Sequence, residues 1–154
     1  MRIIGDGGHA KVVRDILKKD GFLGTFIAVG DNAARKREAE SNTGDFFPSI
    51  VADSAYVSPL ASVGDGTVVM RNAIVAAGAK VGRFCIVNHG ATVDHDCVIG
   101  DYAHIGPGAH LCGHVEVGEG SLVGVGVGIA PGCKVPAWSL VKARRLEIVT
   151  LQGN

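Results

Sequence analysis

From Val51 onward every sixth residue is aliphatic: Val51, Val57, Val63, Val69, Val75, Val81, Val87, Val93, Ile99, Ile105, Leu111, Val117, Val123, Ile129, Val135 and Val141, without a break. Such a period suits neither an α-helix, whose faces recur about every 3.6 residues, nor a long strand, whose faces recur every second residue. It fits a short strand followed by a corner, repeated around a coil. Three units close a triangular turn of eighteen residues. Successive turns then stack at the interstrand spacing of about 4.8 Å, with the aliphatics as interior ladders. The span predicts a little over five coils.

The residue four places after each aliphatic is small: Ala55, Ala61, Thr67, Ala73, Ala79, Cys85, Ala91, Cys97, Ala103 and Ala109, then less uniformly Val115, Ser121, Val127, Cys133 and Ser139. Three of the four cysteines fall in this column and none shows CxxC spacing, so all four, Cys112 included, read as small packing residues. Glycine gathers one and three places after the aliphatic, as in Gly106 and Gly108, where a sharp corner requires positive φ. The 23 Gly against five Phe, two Tyr and one Trp agree with short strands and tight corners.

The 154 residues suffice for one domain with a small appendage. With 15 basic and 15 acidic side chains the chain has no electrostatic footprint for nucleic acid or an anionic membrane. Its first apolar run is too short for a signal peptide and no later one is long enough to span a bilayer, so a cytoplasmic protein is expected.

Residues 1–49 lack the period. "MRII" reads as a strand, "GDGGHA" as a glycine turn, and "HAKVVRDILKK" as a helix with Val12, Val13, Ile16 and Leu17 on one face. "GTFIAVGDN" is a second strand, "AARKREAE" a polar helix, and "SNTGDFFP" a linker. Gly5, Gly7 and Ala10 satisfy G-x-G-x-x-A between strand and helix, where backbone amides and a helix N-terminus face a phosphate. The segment is about half as long as a full dinucleotide-binding domain requires, so the reading is a platform for the diphosphate of an activated sugar, not for a redox cofactor.

The repeats resemble the hexapeptide-repeat acyltransferases, whose fold is a left-handed parallel β-helix. With "IIGDGGHAKVVRD" in front, the chain is similar more narrowly to sialic acid O-acetyltransferases of the NeuD type and UDP-4-amino-sugar N-acetyltransferases, including UDP-N-acetylbacillosamine N-acetyltransferases. The resemblance implies a mainly β fold. An abbreviated Rossmann-like α/β domain occupies residues 1–49, the β-helix 50–142 and a tail 143–154. It also implies homotrimers that use acetyl-CoA at sites between subunits. Two departures stand out: "DGFLG" bridges where such chains carry a further strand and loop, and "VPAWSLVKARRLEIVTLQGN" replaces their usual ending.

Six histidines invite a metal reading. Trimeric β-helices of the γ-carbonic anhydrase kind bind zinc through three histidines, one about two coils before a close pair. His89 to His114 is too short for that, and no two histidines of the repeats lie eighteen apart, so no metal is expected. The chemistry left is general base catalysis: acetyl transfer to an amine needs a proton acceptor and oxyanion donors. His95 sits on the corner side of its repeat, with Asp94 or Asp96 available to orient it.

By resemblance, His95 is the base and Asp96 its orienting acid. His104 and Asn88 belong to the acetyl pocket, and the Gly113 amide meets the thioester carbonyl. Gly7, Gly8 and His9 line the nucleotide loop, with His9 toward the acceptor sugar. Gly30, Asp31, Asn32 and Arg35 hold the nucleotide. Apart from the resemblance, Lys142, Arg144 and Arg145 either meet CoA phosphates or form an exposed basic end, Trp138 caps the last coil or stacks on adenine, and His89, His110 and His114 read as surface decoration, with His114 one coil above Asp96 as a local ion pair. No Cys or Ser stands beside a histidine as a nucleophile, so direct transfer is expected. The resulting expectation is N-acetylation of a nucleotide-linked amino sugar, with sugar O-acetylation and a non-catalytic β-helix subunit as alternatives.

Overall fold

A computed structural model describes residues 2–17 and 23–143. The front unit runs β1 (Arg2–Ile4), α1 (Gly8–Ile16), β2 (Thr25–Ile27), α2 (Asn32–Ser41), with β1 and β2 paired in parallel. Gly5, which ends β1, is held at φ 117°, and a Cβ there would come within 2.6 Å of the Ala28 carbonyl oxygen. No other residue fits so close an approach between these two segments. The end of the expected first helix, Lys18 and Lys19, lies outside the described residues.

Two-residue strands then follow every six residues from β3 (Ile50–Val51) to β18 (Leu140–Val141) and stack into three faces. The first face holds β3, β6 (Val68–Val69), β9 (Ile86–Val87), β12 (His104–Ile105), β15 (Leu122–Val123) and β18. The second holds β4 (Tyr56–Val57), β7 (Ile74–Val75), β10 (Thr92–Val93), β13 (His110–Leu111) and β16 (Gly128–Ile129). The third holds β5 (Ser62–Val63), β8 (Lys80–Val81), β11 (Val98–Ile99), β14 (Glu116–Val117) and β17 (Lys134–Val135). Pairing is parallel with an offset of one coil, Ile105 lying opposite Val87 and Val123. The chain is therefore mainly β, a parallel β-helix.

The second residue of each strand points inward. From Val69 to Val123 these aliphatics, with the small column between them, form one buried core. The ladder thins at its start, where Val51 has no coil beneath it and is 43% exposed. Cys85 and Cys97 are buried in the small column as expected, but Cys112 and Cys133 are exposed. Cys112 was never in the column, and Cys133 stands in the last, uncovered coil.

From Gly66 to Trp138 each corner places the third residue after the aliphatic at positive φ. A type II turn demands that conformation. Glycine meets it at seven corners, but Asn72, Phe84, Asp96, Tyr102, His114 and Trp138 occupy the others. A non-glycine residue there costs about 1 kcal/mol, so these corners carry side chains that glycine would have spared.

The front unit docks on the first face. Ala10, Val13, Phe26 and Ala28 pack against Ile50, Val68, Met70 and Ile86. On its other side Ile27, Ala39 and Phe47 pack against Phe84, which stacks on Tyr102 at 5.4 Å between ring centres. Trp138 stands one coil beyond Gly120, where a Cβ would overlap its indole. Lys36 of α2 lies 5.5 Å from the Tyr102 and Trp138 ring centres and bonds Glu119 at 2.6 Å. No helix among the described residues is long and apolar enough to cross a membrane.

The alternation within a strand can be tested directly. Ile105→Ala, at a position with no exposure, should cost about 2–5 kcal/mol in chemical denaturation. Val98→Ala, at an outward position 47% exposed, should change stability by roughly 0.5 kcal/mol or less.

Candidate active site

The sequence-selected residues gather in two groups. The first occupies the edge between the second and third faces, where the chain turns from β10 to β11. The His95 Nδ1–H donates to Asp96 Oδ2 at 2.9 Å, and both side chains are about half exposed. Of the two candidate acids, Asp96 is thus the ring's partner, while Asp94 Oδ1 accepts from the His95 backbone N–H at 2.7 Å. With Nδ1 so engaged, Nε2 keeps its lone pair. The hydrogen bond to Asp96 raises the His95 pKa above its ordinary value, and the same bond lowers that of Asp96.

Gly113 lies one coil above His95, and a Cβ on it would overlap Cε1 and Nε2 of the imidazole. The ring can cover this stretch of backbone only because residue 113 has no side chain. Among the described residues the Gly113 N–H has no backbone acceptor, whereas the next amide, His114 N–H, donates to the His95 carbonyl at 3.0 Å. His114 meets Asp96 as the eighteen-residue count expects, its Nε2 3.9 Å from Asp96 Oδ2, and its ring meets His95 edge-on, 5.1 Å between centres.

The second group lies on the first face beneath the front unit. Asn88 Nδ2 donates to His104 Nε2 at 3.0 Å, and Asn88 Oδ1 accepts from the His89 N–H at 2.8 Å. A bond to the Gly30 backbone engages the other side of His104. Burial, then the charge of Arg35 and the nearby His9, push the His104 pKa down to about 4. Burial and Arg35 do the same to His9, also to about 4, with His89 contributing. Both rings are neutral near pH 7. His9 Nε2 is buried without a hydrogen-bond partner, and His9 lines a cavity of about 360 Å³ with Gly5, Gly7, Gly8, Val29 and Gly30. Gly7 caps α1, so the free amides of the first helical turn border that cavity.

Arg35 differs from its expected role. It is 1% exposed, and its five N–H groups donate to the carbonyls of Phe84, Val29, Gly30 and Tyr102 and to Asn32 Oδ1. No donor is left for a nucleotide. Asn32 is similarly spent, its Nδ2 reaching the Gly120 and Ser121 carbonyls at 3.0 and 3.3 Å. These two side chains clamp the front unit to the coil, a role that sequence spacing could not reveal because their partners are backbone oxygens on distant turns. Asp31 caps α2 by accepting from Ala34 N–H at 2.7 Å. Lys142 is exposed beside a groove of about 580 Å³ at the late end of the coil, lined also by Val125, Val127 and Val141. Arg144 and Arg145 lie outside the described residues.

The two groups do not converge within one chain. In a triangular coil the first face, which carries His104, lies opposite the edge between the second and third faces, which carries His95.

Residues 96–131 match the family described as bacterial transferase hexapeptide (six repeats). A curated relative, the UDP-N-acetylbacillosamine N-acetyltransferase of Bacillus subtilis, is 37% identical over a match covering 44% of this chain and 50% of that protein. The match thus spans about half the length of that relative. Among solved structures, the acetyltransferase domain of PglB from Neisseria gonorrhoeae in complex with acetyl coenzyme A is 30% identical, with a TM-score of 0.77 over 90% of this chain and 93% of that one. PerB from Caulobacter crescentus, in complex with CoA and GDP-perosamine, is 32% identical, with a TM-score of 0.85 over 90% of this chain and 83% of that one.

Gly113→Ala should displace the His95 ring while leaving the fold intact. Two-dimensional NMR of the imidazole is expected to show a moved His95 resonance, with a melting temperature within a few degrees of the parent.

Proposed function

The chain belongs to the bacterial hexapeptide-repeat transferases, alongside the sugar N-acetyltransferases, and from that premise we propose that it moves the acetyl group of acetyl-CoA to the amino group of a nucleotide-linked amino sugar. The observation that carries the reading is the His95–Asp96 pair, hydrogen-bonded at 2.9 Å over the bare Gly113 backbone. It is a proton acceptor beside an amide without an acceptor, which is what transfer from a thioester to an amine needs.

In this reading the acceptor amine attacks the thioester carbonyl, and His95 Nε2 removes the amine proton as the new C–N bond forms. The Gly113 N–H takes the developing oxyanion. Collapse of the tetrahedral intermediate breaks the C–S bond, and the CoA sulfur leaves with the proton returned by His95. Asp96, ionised throughout, steadies the imidazolium and keeps Nε2 facing the reactants. No covalent acyl-enzyme is required.

The remaining assignments follow the same proposal. Residues 1–49 are a Rossmann-like fragment whose Gly7, Gly8, His9 and Gly30 border the cavity for the sugar nucleotide, with Asp31 following in the chain as the cap of α2. The neutral His9 accepts from or donates to the sugar without a charge. Residues 50–142 are the transferase domain, a left-handed coil; the expected tail at 143–154 lies, past Ala143, outside the described residues. His104 and Asn88 face the acetyl group, and Lys142 meets CoA phosphates at the late end of the coil.

Because His95 and His104 stand on opposite sides of one coil, the site is assembled between copies, the His95 edge of one against the His104 face of the next. A homotrimer closes that arrangement on itself.

Two experiments test this. CoA release should be assayed with a panel of UDP- and GDP-linked amino sugars, where His95→Ala is expected to lose about 10²–10⁴-fold in kcat. The parent's kcat/KM should fall as the pH drops through a midpoint above 6.5, because protonation of His95 removes the base and Asp96 raises its pKa. In Asp96→Asn that midpoint should move down. A His95→Ala variant as fast as the parent would overturn the assignment. Secondly, co-refolding inactive His95→Ala with inactive His104→Ala should restore part of the activity, since some interfaces in mixed assemblies carry both intact residues. No recovery at any mixing ratio argues for a site within one chain.

A further inference from the structure

His114 has no part in the transfer, yet it stands against the pair that does. Asp96 and His114 are one coil apart on the same corner, both at φ 59°, in a column that elsewhere takes glycine at Gly78 and Gly132. The backbone holds them in register, with His114 N–H on the His95 carbonyl and Gly132 N–H on the Gly113 carbonyl, each at 3.0 Å. One ligand atom can be chosen from each of His95, Asp96 and His114 such that the three lie within 4.8 Å of one another. Among the described residues this is the one such cluster of His, Cys, Asp or Glu.

We propose that His95, Asp96 and His114 form a site for a borderline divalent ion of the Zn²⁺ class, and that an ion bound there shuts the His95–Asp96 pair. The geometry is close to what such an ion requires. Metal bonds of about 2.0–2.1 Å in a tetrahedron place neighbouring ligand atoms about 3.3 Å apart. Here His95 Nδ1 is 2.9 Å and His114 Nε2 3.9 Å from Asp96 Oδ2. Closing onto an ion therefore needs shifts of roughly half an ångström for these two pairs and of up to about 1.5 Å between the two imidazoles, whose ligand atoms lie within 4.8 Å of each other. Two imidazole nitrogens and one carboxylate favour Zn²⁺ over Mg²⁺, which selects oxygen ligands.

The sequence test for zinc asked for histidines in register and found none, because the register pair is mixed: Asp96 below, His114 above. Such an ion is an inhibitor and not a cofactor. Coordination at Nδ1 displaces the proton that Nδ1 donates to Asp96; in the neutral ring that proton then sits on Nε2, which has no lone pair left to accept a proton from an amine. Binding of the ion is independent of the proposed function. Only the loss of turnover rests on His95 being the base.

The test uses the full chain in chelator-free buffer, titrated with ZnCl₂ and separately with MgCl₂, read by calorimetry and by CoA release. The comparison variant is His114→Gly, whose residue suits the positive φ at that corner. The parent is expected to bind one Zn²⁺ per chain and to lose turnover over the same concentration range. His114→Gly should need at least tenfold more Zn²⁺ for both effects, keep the parent's rate in the absence of zinc within about twofold, and neither protein should respond to Mg²⁺. No Zn²⁺ binding, equal Zn²⁺ binding by the two proteins, or an equal response to Mg²⁺ overturns the site. His114-dependent binding that leaves turnover untouched overturns the blocking step and, with it, the assignment of His95 as base, while acetyl transfer itself still stands.

Discussion

The interior ladder is the constraint on which everything else rests. Each strand has only two residues, so no strand can bury a face by itself. Stability comes from stacking each aliphatic between those one coil above and below, as Ile105 lies between Val87 and Val123. A parallel ladder with a fixed eighteen-residue offset also fixes what stands outside it. Residues that no sequence motif connects, such as His95 with Gly113 or Asp96 with His114, become neighbours because the ladder sets their height on the coil.

The corners are where this regular coil takes on chemistry. Most of them solve the positive-φ requirement with glycine, but Asp96 and His114 solve it at a conformational cost, and both end beside His95. Aromatic residues do the same on another edge. There Phe84, Tyr102 and Trp138 give the front unit a surface to pack on, with Lys36 between the last two. The glycine column thus works in two ways. It permits the turns, and at Gly120, as Gly113 does one place before its corner, it leaves room for a ring projecting from the neighbouring coil.

Arg35 joins the two halves of the molecule. Its guanidinium is buried, which pushes its pKa down to about 10, but it remains charged at neutral pH and carbonyl oxygens and one amide oxygen satisfy it. Its charge acts on its surroundings, and His104 and His9, lowered first by burial, are lowered further by it. Burial and, after it, the clamp's charge thus keep the histidines of the first face neutral. The result is two histidine environments in one chain: buried and neutral on the first face, exposed and made more basic by Asp96 on the opposite edge.

The sequence by itself determined the coil, its core columns and the position of the corners, because a six-residue period with one aliphatic and one small residue has no other way to bury both. It also determined that His95 lies outside the core and has an acid beside it, and that a strand, glycine turn and helix precede the repeats. It did not determine which acid meets the ring, for Asp94 and Asp96 are equivalent in spacing and only the turn geometry separates them. The eighteen-residue count already set His114 one coil above Asp96, but it could not show that Arg35 is a clamp or that His95 and His104 face away from each other. Those depend on which backbone oxygens and which corner come to the same place when the chain has wound round several times. Contacts across coils and between units are decided by three-dimensional stacking, whereas the period is written residue by residue along the chain.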